Sequence, residues 1–224
     1  MKKILLFISA ITFAAFFLSG ITCEAQGLVN VSFESAKRLG QGRFDIKPVF
    51  THYSYSYKGQ TESVGNHYGA IFGVGISQNF DLKARYERAV STETEYGRSH
   101  SDYFSLIPKV GFTKNVSFLV PFSLYTSSHY GETWNLYSIA PSLLATLPVL
   151  PNKADVSASM KGDILFGEGD SEGMLGFTLG AGISNDLNFW AIRPEVGYMI
   201  HPGDDGGQWS WGLSLQLLFG KKAK

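Results

Sequence analysis

Histidine, serine and acidic residues standing close together are the first places to look for chemistry, and the chain offers a few such groupings. His100-Ser101-Asp102 supplies the residue types of a nucleophilic triad, Ser128-His129 supplies two of them, and His201 lies near Asp204 and Asp205. A triad is defined by geometry and not by adjacency. Neighbours on an extended chain point to opposite faces, and no nucleophile motif surrounds these serines. They read as ordinary loop residues, so no catalytic site is expected. Glu168, Asp170 and Glu172, like Asp204-Asp205, carry the oxygen ligands that divalent cations prefer, but solvated acidic loops explain them more simply. His52 sits among Tyr53, Tyr55 and Tyr57 and reads as part of an aromatic belt. No cofactor or metal site is expected.

A second set of residues is more informative. Asp45, Lys47, Asp81, Lys83, Arg85, Glu87, Lys109, Asp155, Lys161, Asp163, Arg193 and Glu195 all fall on one face of alternating segments, opposite apolar side chains. They comprise six charges of each sign. Charges taken out of water need partners, and equal numbers permit a self-neutralising network inside a closed cylinder. A wide ion-selective pore would more naturally carry a surplus of one sign. A narrow path for a small solute is the alternative.

Strands must position these charges. Apolar and polar residues alternate over 44–57, 68–77, 80–92, 102–112, 116–126, 134–147, 154–166, 174–184, 187–200 and 209–219. This period of two predicts ten strands in an all-β chain. Short turns alternate with longer polar connections such as 58–67, which predicts an antiparallel up-and-down barrel. Alternation alone does not say which face is inside, and a water-soluble barrel would turn the phenylalanines inward. The inverted arrangement is favoured by three features. The strands are long enough for a tilted membrane crossing, the polar face is rich in Gly and Ser, and aromatic residues gather near strand ends. Pro108, Pro141 and Pro194 cost ladder hydrogen bonds in either arrangement.

Residues 1–25 carry Lys2 and Lys3 before an apolar run, the pattern of a cleaved signal peptide. Two other readings are a lipoprotein anchored at Cys23 and a retained membrane anchor. Cys23 is the only cysteine, so after cleavage at Ala25 the chain would form no disulfide. A net charge of zero argues against a nucleic-acid partner. Residues 26–42 read as a short strand, a periplasmic tail or a plug, and 43–219 as a single barrel domain, followed by a basic tail at 220–224.

The last strand alternates without a break: Trp209, Trp211, Leu213, Leu215, Leu217 and Phe219 against Ser210, Gly212, Ser214 and Gln216. It resembles the closing strand of bacterial outer-membrane barrels, whose assembly signal is matched by Ser210, Gly212, Leu215 and Leu217 ahead of Phe219. The resemblance covers 43–219 at the level of architecture. It implies a transmembrane β-barrel in the bacterial outer membrane, placed by the barrel insertion machinery among outer-membrane lipid and lipopolysaccharide. The expected function is a non-enzymatic barrel with a largely filled lumen, structural or a narrow channel, recognising partners through its outer loops. Two alternatives stay open. One is a carrier of small hydrophobic compounds, with 26–42 as a plug. The other is a rim enzyme acting on lipid A or peptide through His100 or His201.

Overall fold

Alternating side chains along a strand place one set on each face of a sheet, and here the sheet closes on itself. The protein is described by a computed structural model at residues 30–58, 60–91, 100–129, 132–167, 171–203 and 205–220. The predicted signal segment 1–25 with Cys23 lies outside the described residues, as do Glu168, Asp170, Asp204 and 221–224. The strands are β1 (Phe44–Tyr57), β2 (Gln60–Gly75), β3 (Phe80–Ser91), β4 (His100–Gly111), β5 (Val116–Leu119) and β6 (Phe122–His129). They continue as β7 (Glu132–Ile139), β8 (Ser142–Leu150), β9 (Ala154–Phe166), β10 (Ser171–Ile183), β11 (Trp190–Ile200) and β12 (Gly206–Phe219). All pairings are antiparallel. β1 pairs with β12 and β9 with β10, so the sheet has no free edge.

Twelve strands make ten staves. β4 holds Leu119 opposite Lys109 and Phe122 opposite Leu106, one unbroken register across the gap between β5 and β6. β9 spans β7 and β8 in the same way. The interruptions fall at Val120-Pro121 and Ala140-Pro141, side by side, and the Ala140 N–H still donates to Pro121 O at 3.0 Å. Proline has no N–H to give the ladder. Two adjacent prolines therefore thin it at one place without moving the register, so the fifth and sixth predicted strands are each split.

Other boundaries shift where side-chain alternation lapses but pairing continues. Residues 58–67, predicted as a loop, mostly belong to β2, which starts at Gln60. β10 likewise takes in Ser171, β12 takes in Gly206, and β4 begins at His100. At the start of β2 both faces meet water because the hairpin projects past the apolar belt, whereas at the start of β12 Gly206, Gly207 and Gln208 are buried but the two glycines carry no side chain to alternate. A ladder needs no alternation where both faces meet water. In the opposite direction, 187–189 form a turn ahead of β11, with the Trp190 N–H on Asp186 O.

Orientation decides everything else. Phe72, Phe104, Leu179 and Leu213 are about half exposed on the outside. The twelve charged residues of the polar face are buried inside, none more than 8% exposed. Phe44 of β1 stacks on Phe219 of β12 across the seam, with ring centroids 4.9 Å apart. Tyr198 and Trp209 pair at 4.6 Å near the opposite rim.

Candidate functional site

The lumen is occupied. Residues 30–42, ahead of β1, run through it from Asn30 beside Gly176 and Gly197 to Gly42 at the short-turn rim. There the chain reverses on two glycines in the left-handed region, Gly40 at φ 83° and Gly42 at φ 74°. The Gly42 N–H donates to Gly75 O at 2.9 Å, and β1 begins.

An unladdered buried segment must find partners for its backbone elsewhere, and the wall side chains supply them. Glu195 accepts the N–H of Ser32 at 2.6 Å and of Phe33 at 2.8 Å. Thr146 Oγ1 accepts the Ala36 N–H at 2.7 Å, and Asp81 accepts the Leu39 N–H at 3.1 Å. In the other direction, Arg85 donates to Val31 O, Ser117 to Ala36 O, and Lys109 to the carbonyls of Ser35 and Lys37, all within 2.7 Å. The predicted charges therefore do more than neutralise one another. Four of them hold a strand-like insert by its peptide groups.

The remaining charge pairs form a belt. Glu34 contacts Lys47, Lys83 at 2.9 Å and Lys109 at 3.5 Å. Asp45 lies 3.3 Å from Lys47 and 3.2 Å from Lys83, and accepts from Gln216 at 2.8 Å. Gln216 accepts from Arg193, which pairs with Asp155 at 3.1 Å, and Asp155 takes Lys37 at 3.0 Å. Arg85 pairs with Glu87 at 2.5 Å, His67 approaches Glu87 at 3.3 Å, and Lys161 pairs with Asp163 at 3.1 Å. All twelve predicted lumen residues thus face inward in these contacts. Glu34, Lys37, His67 and Gln216 join them unpredicted. Glu34 carries no local signal, because the segment around it has only weak alternation.

Apolar contacts fix the insert as well. Val31 and Phe33 pack on Val49 and Ile71. Ala36 packs on Ile107, Leu119 and Leu144. Phe33 is fully buried, and its ring sits where a side chain on Gly212 would stand, 2.5 Å from an ideal Cβ. Towards the long hairpins, Leu165, Met174 and Met199 form a second buried apolar cluster, with Tyr125 and Leu136 against them. Beside the insert lies a cavity of about 40 Å³ bordered by Val31, Glu34, Arg85, Tyr103, Lys161 and Asp163. That volume suits a few water molecules.

The other sequence candidates lie apart from this centre. Asp102 accepts Arg88 at 3.0 Å and the Tyr86 hydroxyl at 2.8 Å on the outer face. Ser101 donates to Ser127 at 3.0 Å. His201 contacts Glu172, and His52 lies 2.9 Å from the Asn66 side chain. The side chains of Ser128 and His129 lie outside the described residues. Among the described residues, no three His, Cys, Asp or Glu side chains are placed to hold a metal ion. Of the closing-strand motif, Ser210 and Gly212 are buried inside while Leu215 and Phe219 are exposed outside and Leu217 is half-buried.

No protein-family profile and no curated sequence matches the chain. Among solved structures, it is similar to the translocator domain of the autotransporter NalP from Neisseria meningitidis. That match is 8% identical, covers 96% of this chain and 95% of that one, and has a TM-score of 0.47. The attachment invasion locus protein Ail of Yersinia pestis is 11% identical over 80% of this chain and 99% of its own, with a TM-score of 0.38. The Acinetobacter baumannii outer membrane protein Omp33 is 13% identical over 79% and 98%, with a TM-score of 0.32. The closed barrel itself rests on the strand pairing of this chain.

Proposed function

We propose that the chain is an integral bacterial outer-membrane barrel whose passage is stoppered by its own residues 30–42, leaving recognition to the projecting hairpins. One observation carries this reading: an apolar surface girdles the outside while every charge of the predicted network is buried within. In water such a girdle would be an unsatisfied patch, whereas acyl chains match it. The export-signal pattern expected at 1–25, and the start of β1 lying beside the end of β12 at the short-turn rim, agree with insertion from the periplasm. That rim then faces the periplasm and the long hairpins face outward.

The stopper favours a closed, structural barrel over a standing channel. The cavity beside the stopper, about 40 Å³, is small against the roughly 300 Å³ or more that a drug-sized ligand needs, which does not favour a carrier there. Asp102 engaged by Arg88 and Tyr86 favours the non-enzymatic reading over a rim enzyme. The test is fractionation of the expressing cell, followed by gels of unboiled and boiled protein. The expected result is an outer-membrane protein whose mobility changes on boiling. Recovery in a soluble fraction with one mobility sinks the proposal. Planar bilayers should then show no steady conductance for the wild-type chain.

A further inference from the structure

We infer that Lys47, Lys83 and Lys109 form an anion site in the barrel wall, built for one small carboxylate, with Glu34 of the stopper as its tethered occupant. The inference rests on the stoppered-lumen reading above and adds the ligand class.

The three ammonium groups arrive from β1, β3 and β4 and converge on one carboxylate, each lysine no more than 2% exposed. Three buried like charges do not converge without an anion between them. The wall supplies two. Asp45 serves Lys47 and Lys83, and Asp81 stands 3.7 Å from Lys109. One positive charge is left over, so the fitting ligand is a monoanion. Gly73 leaves room for the Asp45 carboxylate beside Lys83, since an added Cβ would lie 2.1 Å from Asp45 Oδ1. Lysine offers point charges with rotatable donors, which suit a carboxylate approached from several sides.

Nothing in this geometry requires the carboxylate to be part of the chain. Glu34 reaches the lysines on a segment held by hydrogen bonds and small apolar contacts, outside any ladder. A free carboxylate entering the lumen competes with Glu34 for the same three donors. A solute carrying one carboxylate is therefore the chemical class that would loosen the stopper at its anchor.

Acetate is the probe. Full-length Glu34→Ala, purified as a folded barrel in detergent, keeps the lysines and vacates the site. Its thermal midpoint should rise saturably in sodium acetate relative to sodium chloride of equal ionic strength. A rise of about 2–4 °C is expected at roughly five times the dissociation constant. Wild type, whose site is filled by Glu34, should not respond, and adding Lys83→Met to Glu34→Ala should abolish the response. If Glu34→Ala unfolds in chloride, recovery of its heat-modifiable form on refolding with acetate supports the site equally. A Glu34→Ala chain indifferent to acetate, in melting and in refolding, overturns it. Wild-type fractionation reports separately on the membrane reading, so a heat-modifiable wild type beside a silent Glu34→Ala sinks the anion site alone.

Discussion

Glu195 holds Phe33 in a left-handed bend: its Oε2 accepts the Phe33 N–H at 2.8 Å, and Phe33 stands at φ 53°. Its other oxygen takes the Ser32 N–H at 2.6 Å. A bulky residue at positive φ costs about 1–3 kcal/mol and persists only where its surroundings over-determine it. Here one carboxylate fixes two successive amides, and the Phe33 ring is pinned in the space beside Gly212.

Glu195→Gln leaves a single good acceptor for those two amides and removes the charge from both bonds, each worth about 1.5–3 kcal/mol. The stopper should loosen while the barrel stays closed. Hydrogen exchange should therefore accelerate at least about tenfold across residues 30–40 with the strand amides unchanged. Equal acceleration in β10 and β11 would show that Glu195 braces the wall instead.

Lys83→Met takes one ammonium from Glu34 and Asp45 and leaves Lys47 and Lys109 against three buried carboxylates, Glu34, Asp45 and Asp81. Removing one partner from a buried charge cluster costs about 3–5 kcal/mol. The urea midpoint in detergent should fall accordingly. Arg88→Ala breaks a pair whose arginine is half exposed on the outer face, and it should leave the midpoint almost unmoved. Similar losses for the two variants would contradict the burial seen here.

Leu213 lies in the middle of β12, outward-facing and 48% exposed. In water its replacement by lysine would be harmless. At a bilayer midplane a lysine on the lipid face costs about 2–4 kcal/mol. Leu213→Lys should fold into lipid vesicles with that loss of stability, whereas a barrel living in water would show none.

Ala36 is completely buried against Ile107, Leu119 and Leu144. Ala36→Trp cannot be accommodated there, since overpacking by even a few methylenes costs about 1–3 kcal/mol. The insert should leave the lumen, and conductance steps absent from the wild type should appear in planar bilayers. A variant that folds, binds nothing new and stays silent would mean that the wall charges alone seal the barrel.

Much of this was legible without coordinates because a strand writes its two faces into alternate residues. Phe80, Leu82, Ala84 and Tyr86 against Asp81, Lys83, Arg85 and Glu87 leave no other periodicity, and the structure turns the first set out and the second in. The bounds of β1 and β9 match the alternating segments residue for residue. Where alternation lapses, at Gln60 to Ser63 and at Gly206 to Gln208, the sequence has the look of a loop although the strands continue. Water on both faces removes the signal in the first, and in the second two buried glycines carry no side chain to show it, yet the ladder runs through both.

The amino-acid sequence by itself determined the barrel class, the antiparallel order and the membership of the charged face, since these follow from side-chain alternation along local segments. Only the tertiary structure decided that residues 30–42 fill the lumen. Their backbone is satisfied by Glu195, Thr146, Asp81, Arg85, Ser117 and Lys109, which lie far away in sequence, so the segment carries no periodicity of its own. The same holds for the apolar residues on the inner face. Val49, Ile71, Ile107, Leu119 and Leu144 gain their partners only when Val31, Phe33 and Ala36 are threaded between them, a contact that closure of the ring creates.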